Sequence, residues 1–189
     1  MTQVMPSPVE LLAAIGSGLI ALVFVRAALH KLFGFGHFSA SLAGYRLLPP
    51  SSSEVAAGAL LAAECIVIAS LSIAQTRVYG AALATFLLLL YALAMAINLQ
   101  RGRPRIDCGC GGDGQGISWL LVSRNGVLAT MAACIASSGD RQALAAGALP
   151  AVIACVVLGG LLLLIVDQIA GNRSHAAATS HFGFEEPSK

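Results

Sequence analysis

Five apolar stretches, at about residues 9–29, 55–74, 78–99, 117–136 and 147–169, leave this chain few ways to fold. Each is about twenty residues long, enough to carry an α-helix across about 30 Å of hydrocarbon. In that solvent every backbone N–H and C=O must be paired, which a helix does within its own segment. Only 11% of the residues are charged and 57% are hydrophobic, whereas a soluble domain carries about a quarter charged residues. The expected fold is an all-α polytopic membrane protein, a four-helix bundle plus a C-terminal fifth span. Residues 1–170 form this single bundle, and the polar stretch 171–189 reads as a disordered tail. The first eight residues lack the positive charge of a signal peptide, so the first span is expected to remain uncleaved. The lipid bilayer is therefore one partner. A net charge of +2 gives no reason to expect nucleic acid as another.

Counting crossings places the connection after the first span, the loop at 100–116 and the C-terminal tail on one face. Residues 32–53, with Phe33, Phe35, His37, Phe38 and Tyr45, read as an amphipathic segment at the membrane surface. Ser51, Ser52, Ser53 and Glu54 offer N-cap residues for the second span. Gln75-Thr76-Arg77 is a tight turn that makes the second and third spans a hairpin.

The loop at 100–116 is the most polar and glycine-rich interruption of the chain. It reads Arg101-Gly102-Arg103-Pro104-Arg105-Ile106-Asp107-Cys108-Gly109-Cys110-Gly111-Gly112. Cys108 and Cys110 can bond if Gly109 bends, and the small strained ring would make an easily reduced, oxidising disulfide. Arg101, Arg103 and Arg105 favour the thiolate, the reactive form. A redox pair is the preferred reading. A zinc site needs four ligands, and the loop adds only Asp107 and Asp113. A metal held with His30 or His37, or across a dimer, is the alternative, and no metal ligands are assigned. Cys65, Cys134 and Cys155 lie within spans and read as packing residues.

Several polar residues lie inside or at the ends of spans. Arg26 and His30 are four apart and share a helix face, beside Lys31. They read either as snorkelling cations or as the mouth of a site. Glu64 falls mid-span, where a carboxyl must be neutral or partnered. Arg124 lies early in the fourth span, placed to lean towards the cysteine loop or to snorkel. Arg26, His30, Glu64 and Arg124 are expected to shape one polar pocket beneath the loop, suited to a quinone or to proton movement.

Taken together, Arg26 with His30-Lys31, Tyr45-Arg46-Leu47-Leu48-Pro49, Glu64, Asn98, Arg101-Gly102-Arg103, the Asp107-to-Gly112 block and Arg124-Asn125 form a familiar order. Over residues 9–137 the chain resembles the methylamine utilisation protein MauE family and, more distantly, DoxX-like membrane proteins. The resemblance implies a multi-pass protein of the bacterial inner membrane. It implies a role in maturing the disulfide-rich small subunit of periplasmic methylamine dehydrogenase, beside a thioredoxin-like partner, MauD. On that reading Cys108 and Cys110 are the exchanging thiols. Lys31, Tyr45, Asn98, Asp107 and Asn125 join the residues above in binding or tuning.

The expected function is thus a thiol–disulfide component that assists maturation of a periplasmic client enzyme, with a quinone as candidate cofactor. The rival is a small-molecule or quinone-binding or transport bundle in which the cysteines are incidental. A third reading is a structural subunit that stabilises a partner. Orientation divides two arguments: Lys31, Arg46, Arg101, Arg103 and Arg105 outnumber Arg77 and Arg141, placing the loop in the cytoplasm. Oxidative maturation favours the periplasmic side.

Overall fold

The computed structural model describes residues 7–103, 106, 116–139 and 146–180. Cys108, Cys110, Arg105 and Asp107 lie outside the described residues, as do Asp113 and Arg141. Helix α1 (Pro8–Phe33) starts at a capping box: the Glu10 N–H donates to Ser7 Oγ at 3.2 Å and the Ser7 N–H to the Glu10 carboxylate at 2.6 Å. Gly34 ends it, its N–H donating to the His30 carbonyl, and the chain restarts at once as α2 (Phe35–Gly44). The connection read from sequence as amphipathic is therefore largely helical. It buries Phe38 and Ser39 and packs on both α1 and the next span.

A 3-10 turn at Pro50–Ser52 leads into α3 (Ser53–Ser72). Ser52 occupies the N-cap position but does not cap; its hydroxyl donates instead to the Pro49 carbonyl at 2.8 Å. A second 3-10 turn, Ala74–Thr76, reverses the chain into α4 (Arg77–Gln100). Helix α4 closes on Gly102 at φ +69°, where the Gly102 N–H reaches the Leu99 carbonyl and the Arg103 N–H the Asn98 carbonyl. Only glycine takes that backbone angle without steric cost. Helix α5 (Trp119–Ser138) starts at Ser118, whose hydroxyl accepts from the Leu121 N–H, and stops at Gly139. Helix α6 runs from Leu149 to Ser180. The segment from Gly171 to Ser180 is thus helical where coil was expected, continuing the span through the good helix formers Ala176–Ala178. Residues 181–189 lie outside the described residues.

Helices α1, α3, α4 and α5 share one core, with Ile20 and Phe24 meeting Val67 and Leu71, Ala81, Ala84, Leu87 and Leu88, and Leu128, Ala129, Ala132 and Ile135. Alanines at the α4–α5 contact let the two backbones approach, the usual basis of helix association in lipid. Helix α6 lies outside this bundle, mainly against α1. Its Gly159 and Gly160 receive Leu19 and Leu22, and Gly18 of α1 receives Val156. Five of the helices are long and apolar enough to cross a membrane, over Pro8–Phe33, Ser53–Ser72, Ala74–Gln100, Trp119–Ser138 and Leu149–Ile169. Exposed residues such as Leu12, Phe86, Leu93, Val127, Leu158 and Leu161 present hydrocarbon outward. A multi-pass membrane protein is the fold that makes sense of that surface.

One glycine sets the α3–α4 distance. A Cβ on Gly80 would sit 2.9 Å from the Leu71 backbone nitrogen and 3.0 Å from the Ser70 carbonyl carbon. Gly80→Ala is therefore expected to destabilise the protein by about 1–3 kcal/mol through overpacking. Gly126→Ala, with nothing within 4 Å of the new Cβ, should be neutral or gain about 0.5–1 kcal/mol. Thermal unfolding of both variants in detergent makes the comparison. Equal melting points would contradict the close approach.

Candidate functional site

Two buried polar centres are built from residues on different helices. At the first, the Lys31 ammonium donates to Glu64 Oε1 at 2.5 Å, and the Tyr91 hydroxyl donates to the same oxygen at 2.8 Å. Lys31 is 1% exposed and Glu64 is fully buried. The ammonium also lies 4.9 Å from the ring centre of Phe38 and 5.1 Å from that of Tyr91, within cation–π range. Lys31 is in the last turn of α1, where the helix dipole favours a cation. Glu64 Oε2 has no hydrogen-bond partner among the described residues. Lys31 thus does not snorkel: α2 folds back over it, and Glu64 draws it inward.

At the second centre Asp167 of α6 bridges two arginines, Arg26 of α1 at 2.5 Å and Arg124 of α5 at 2.6 Å. Asp167 and Arg124 are nearly buried, at 7% and 10%, while Arg26 keeps 39% of its side chain exposed. Among the described pairs, two arginines thus share the one carboxylate of Asp167. Arg124 therefore turns neither to the cysteine loop nor to lipid headgroups; it closes on α6.

The single pocket expected from Arg26, His30, Glu64 and Arg124 is thus divided. Arg26 and Lys31 are five residues apart, a rotation of about 140° around an α-helix. One therefore faces α5 and α6, while the other faces α3 and α4. Of the two other members, Glu64 belongs to the first centre, and His30 is half-buried on α1. Asp167 and Tyr91 are the residues that sequence reasoning missed. Asp167 is the one charge in the fifth span, and a buried intramembrane carboxylate calls for a partner on another helix. That signal was available for Asp167, whereas nothing distinguished Tyr91 within its apolar run.

The remaining candidates sit near the base of the loop. Asn98 is fully buried and donates to the Ala94 carbonyl at 3.1 Å, its Oδ1 unpaired among the described residues. Asn125 is buried on α5. Tyr45 is buried against Met95, Ile117 and Leu121. Arg101 is exposed and Arg103 partly so. The Ile117 N–H donates to the Ile106 carbonyl at 3.1 Å, joining the two ends of the loop. Cys65, Cys134 and Cys155 are exposed free thiols on the outer helix faces, not packing residues. For Cys65, the next helical position after Glu64 lies about 100° round, away from the bundle. Among the described residues no group of three His, Cys, Asp or Glu side chains could hold a metal ion.

A cavity of about 480 Å³ lies between α2, α3 and α4. Lys31 and Tyr91 form its polar end, and Phe38, Tyr45, Leu60, Ala63, Phe86 and Met95 are among its walls.

Comparison with known proteins finds a match between residues 9–138 and the family described as methylamine utilisation protein MauE. A methylamine utilization protein MauE of Paracoccus denitrificans is 43% identical over 120 residues, covering 62% of this chain and 64% of the relative. The protein of the same description from Paracoccus versutus is 40% identical over 115 residues, covering 60% and 62%. That of Methylorubrum extorquens is 36% identical over 115 residues, with the same coverage. The chain therefore spans less than two thirds of the length of these curated relatives. No solved structure matches.

Proposed function

From the premise that the chain belongs to the methylamine utilisation protein MauE family, we propose that it is an inner-membrane thiol–disulfide component of methylamine utilisation. It acts with a thioredoxin-like, MauD-like partner in maturing a periplasmic client enzyme. The observation that carries this reading is the family match itself. It runs across Cys108-Gly109-Cys110 and both helices that hold the loop.

The loop leaves α4 at the Gly102 cap and re-enters at the Ser118 cap of α5. Those two helices pack on each other more extensively than any other pair of described helices, so the two ends of the loop are held. In the exchange step a partner thiolate attacks one sulfur of the Cys108–Cys110 disulfide. A mixed disulfide forms and the other loop sulfur leaves as thiolate. A second partner thiolate then resolves the adduct, leaving the partner oxidised and the loop as a dithiol. Arg101 and Arg103 at the base, with Arg105 beyond, favour the leaving thiolate.

The test traps the adduct with a partner whose resolving cysteine has been removed, in a background where Cys65, Cys134 and Cys155 are alanine. Cys108→Ser or Cys110→Ser leaves no loop disulfide to attack, so the adduct should fall by about tenfold or more in each. Adducts retained in both single variants would sink the assignment.

The cavity supports a second reading, a small-molecule binding or transport bundle in which the cysteines are incidental. In that case Glu64→Gln abolishes activity while both cysteine variants keep it.

A further inference from the structure

The space between α2, α3 and α4 exists because α3 turns Ala56, Ala59 and Ala63 towards it, where larger side chains would fill it. Its mouth faces lipid: Phe86 at the rim is 61% exposed and Leu90 39%. Its walls are almost wholly hydrocarbon and aromatic ring, and its size falls in the range of small-molecule sites, about 300–1,000 Å³. At the inner end stand Lys31 and Tyr91, both donating to one oxygen of Glu64.

That arrangement selects among membrane-soluble ligands. The Lys31 ammonium has three N–H bonds, and Glu64 takes one, so an acceptor entering the cavity meets donor capacity. The Lys31–Glu64 pair is already neutral. An anionic head, whether a fatty-acid carboxylate or a lipid phosphate, would bring an uncompensated charge into apolar surroundings, which is unfavourable. A neutral carbonyl carries no such cost. Phe38, Tyr45 and Tyr91 line the cavity with aromatic rings, and aromatic side chains favour a flat ring stacked on them or packed edge-on. An alkyl chain alone would match the walls but give nothing to Lys31.

We propose that this cavity binds a lipophilic quinone-type ligand: a flat, neutral ring with carbonyl acceptors at the Lys31–Tyr91 end and a tail leaving past Phe86 into the bilayer. The inference names a ligand class for the second reading above and concerns binding alone. It therefore stands whether or not the loop cysteines exchange.

The test uses the full chain in nanodiscs of phosphatidylethanolamine and phosphatidylglycerol with a photoreactive azido-quinone bearing a decyl tail. After irradiation, peptide mapping should place adducts within 35–45 of the α2 region or 83–95 of α4. A tenfold excess of decylubiquinone should remove them, while the same concentration of palmitate should not. Ala63→Phe and Ala59→Phe, made separately, should each lower labelling by about tenfold, as expected when a small-molecule pocket is filled. Their melting temperatures show that the bundle is intact. Absent labelling, labelling elsewhere such as on α6, or labelling unchanged in both variants would overturn the proposal. So would displacement by palmitate as effective as by decylubiquinone, which would make the cavity an acyl-chain site. Partner-adduct trapping in the same nanodiscs reads the cysteine loop separately. Trapping lost with labelling retained counts against the thiol reading alone, and the converse against this one.

Discussion

Glu64→Leu is expected to destabilise the protein by about 3–5 kcal/mol, the typical cost of removing one partner from a buried ion pair. The substitution leaves the Lys31 ammonium 1% exposed with its carboxylate gone. Two aromatic rings near 5 Å remain, and cation–π contacts recover only about 0.5–2 kcal/mol. The Tyr91 hydroxyl loses the same acceptor, adding about 1 kcal/mol. The damage comes from stranding a charge rather than from losing an attraction, and this makes the test specific. Lys31→Met combined with Glu64→Leu removes both charges from a site surrounded by apolar atoms and should recover most of the stability, since such replacements are often neutral or better. Unfolding of the four proteins in detergent completes a double-mutant cycle. Additive effects, with no recovery in the double variant, would show that the two side chains are not coupled.

Asp167→Asn should release α6 from the bundle. Helix α6 buries little of itself, with only 6% of its apolar stretch inside the protein. It is held by leucines and a valine set against glycines, and by Asp167 on two arginines. With the carboxylate neutralised, Arg26 and Arg124 both lose the anion they share. Arg124 is nearly buried and cannot escape, whereas Arg26 is partly exposed and can turn to the membrane surface. The expected cost is about 3 kcal/mol, the low end for a broken buried pair. It should appear as movement of α6 rather than as collapse of the four-helix core. Spin labels on the outer faces of α6 and α4 should give a broadened distance distribution in Asp167→Asn, while a pair on α3 and α5 stays narrow. Adding Arg124→Met should sharpen the α6 distance again. An α6 distribution unchanged by Asp167→Asn would mean that the glycine contacts hold the helix by themselves.

Both predictions rest on partners that reading along the chain did not supply. Glu64 was legible as an intramembrane carboxyl that must be neutral or partnered, but nothing named Lys31, which lies 33 residues earlier. Lys31 itself resembled a cation at a helix end, because α2 was not read as a helix able to cover it. Arg26 and Arg124 were legible as residues of one polar cluster, which the structure keeps together on Asp167. They were grouped with Glu64, however, which pairs with Lys31 instead. Asp167 was passed over, although it is the one charge of the fifth span. The glycine-rich Cys108/Cys110 loop, by contrast, was conspicuous from composition alone.

What the sequence determined by itself is the set of membrane-crossing helices, their order and the connections that share a face. Those properties are local. In hydrocarbon a backbone pairs within its own helix, so twenty apolar residues specify a span without reference to any other part of the chain. Crossings then place each loop by parity. The tertiary structure alone decided how each helix is rotated about its axis, and with it the ion pairs and the cavity. These helices are apolar nearly all round, because lipid and protein interior make the same demand on a side chain. No hydrophobic stripe therefore marks the inward face. Close packing at Gly80, Gly159 and Gly160 sets how near the helices lie. That spacing and rotation bring Lys31 to Glu64 and Asp167 to Arg26 and Arg124.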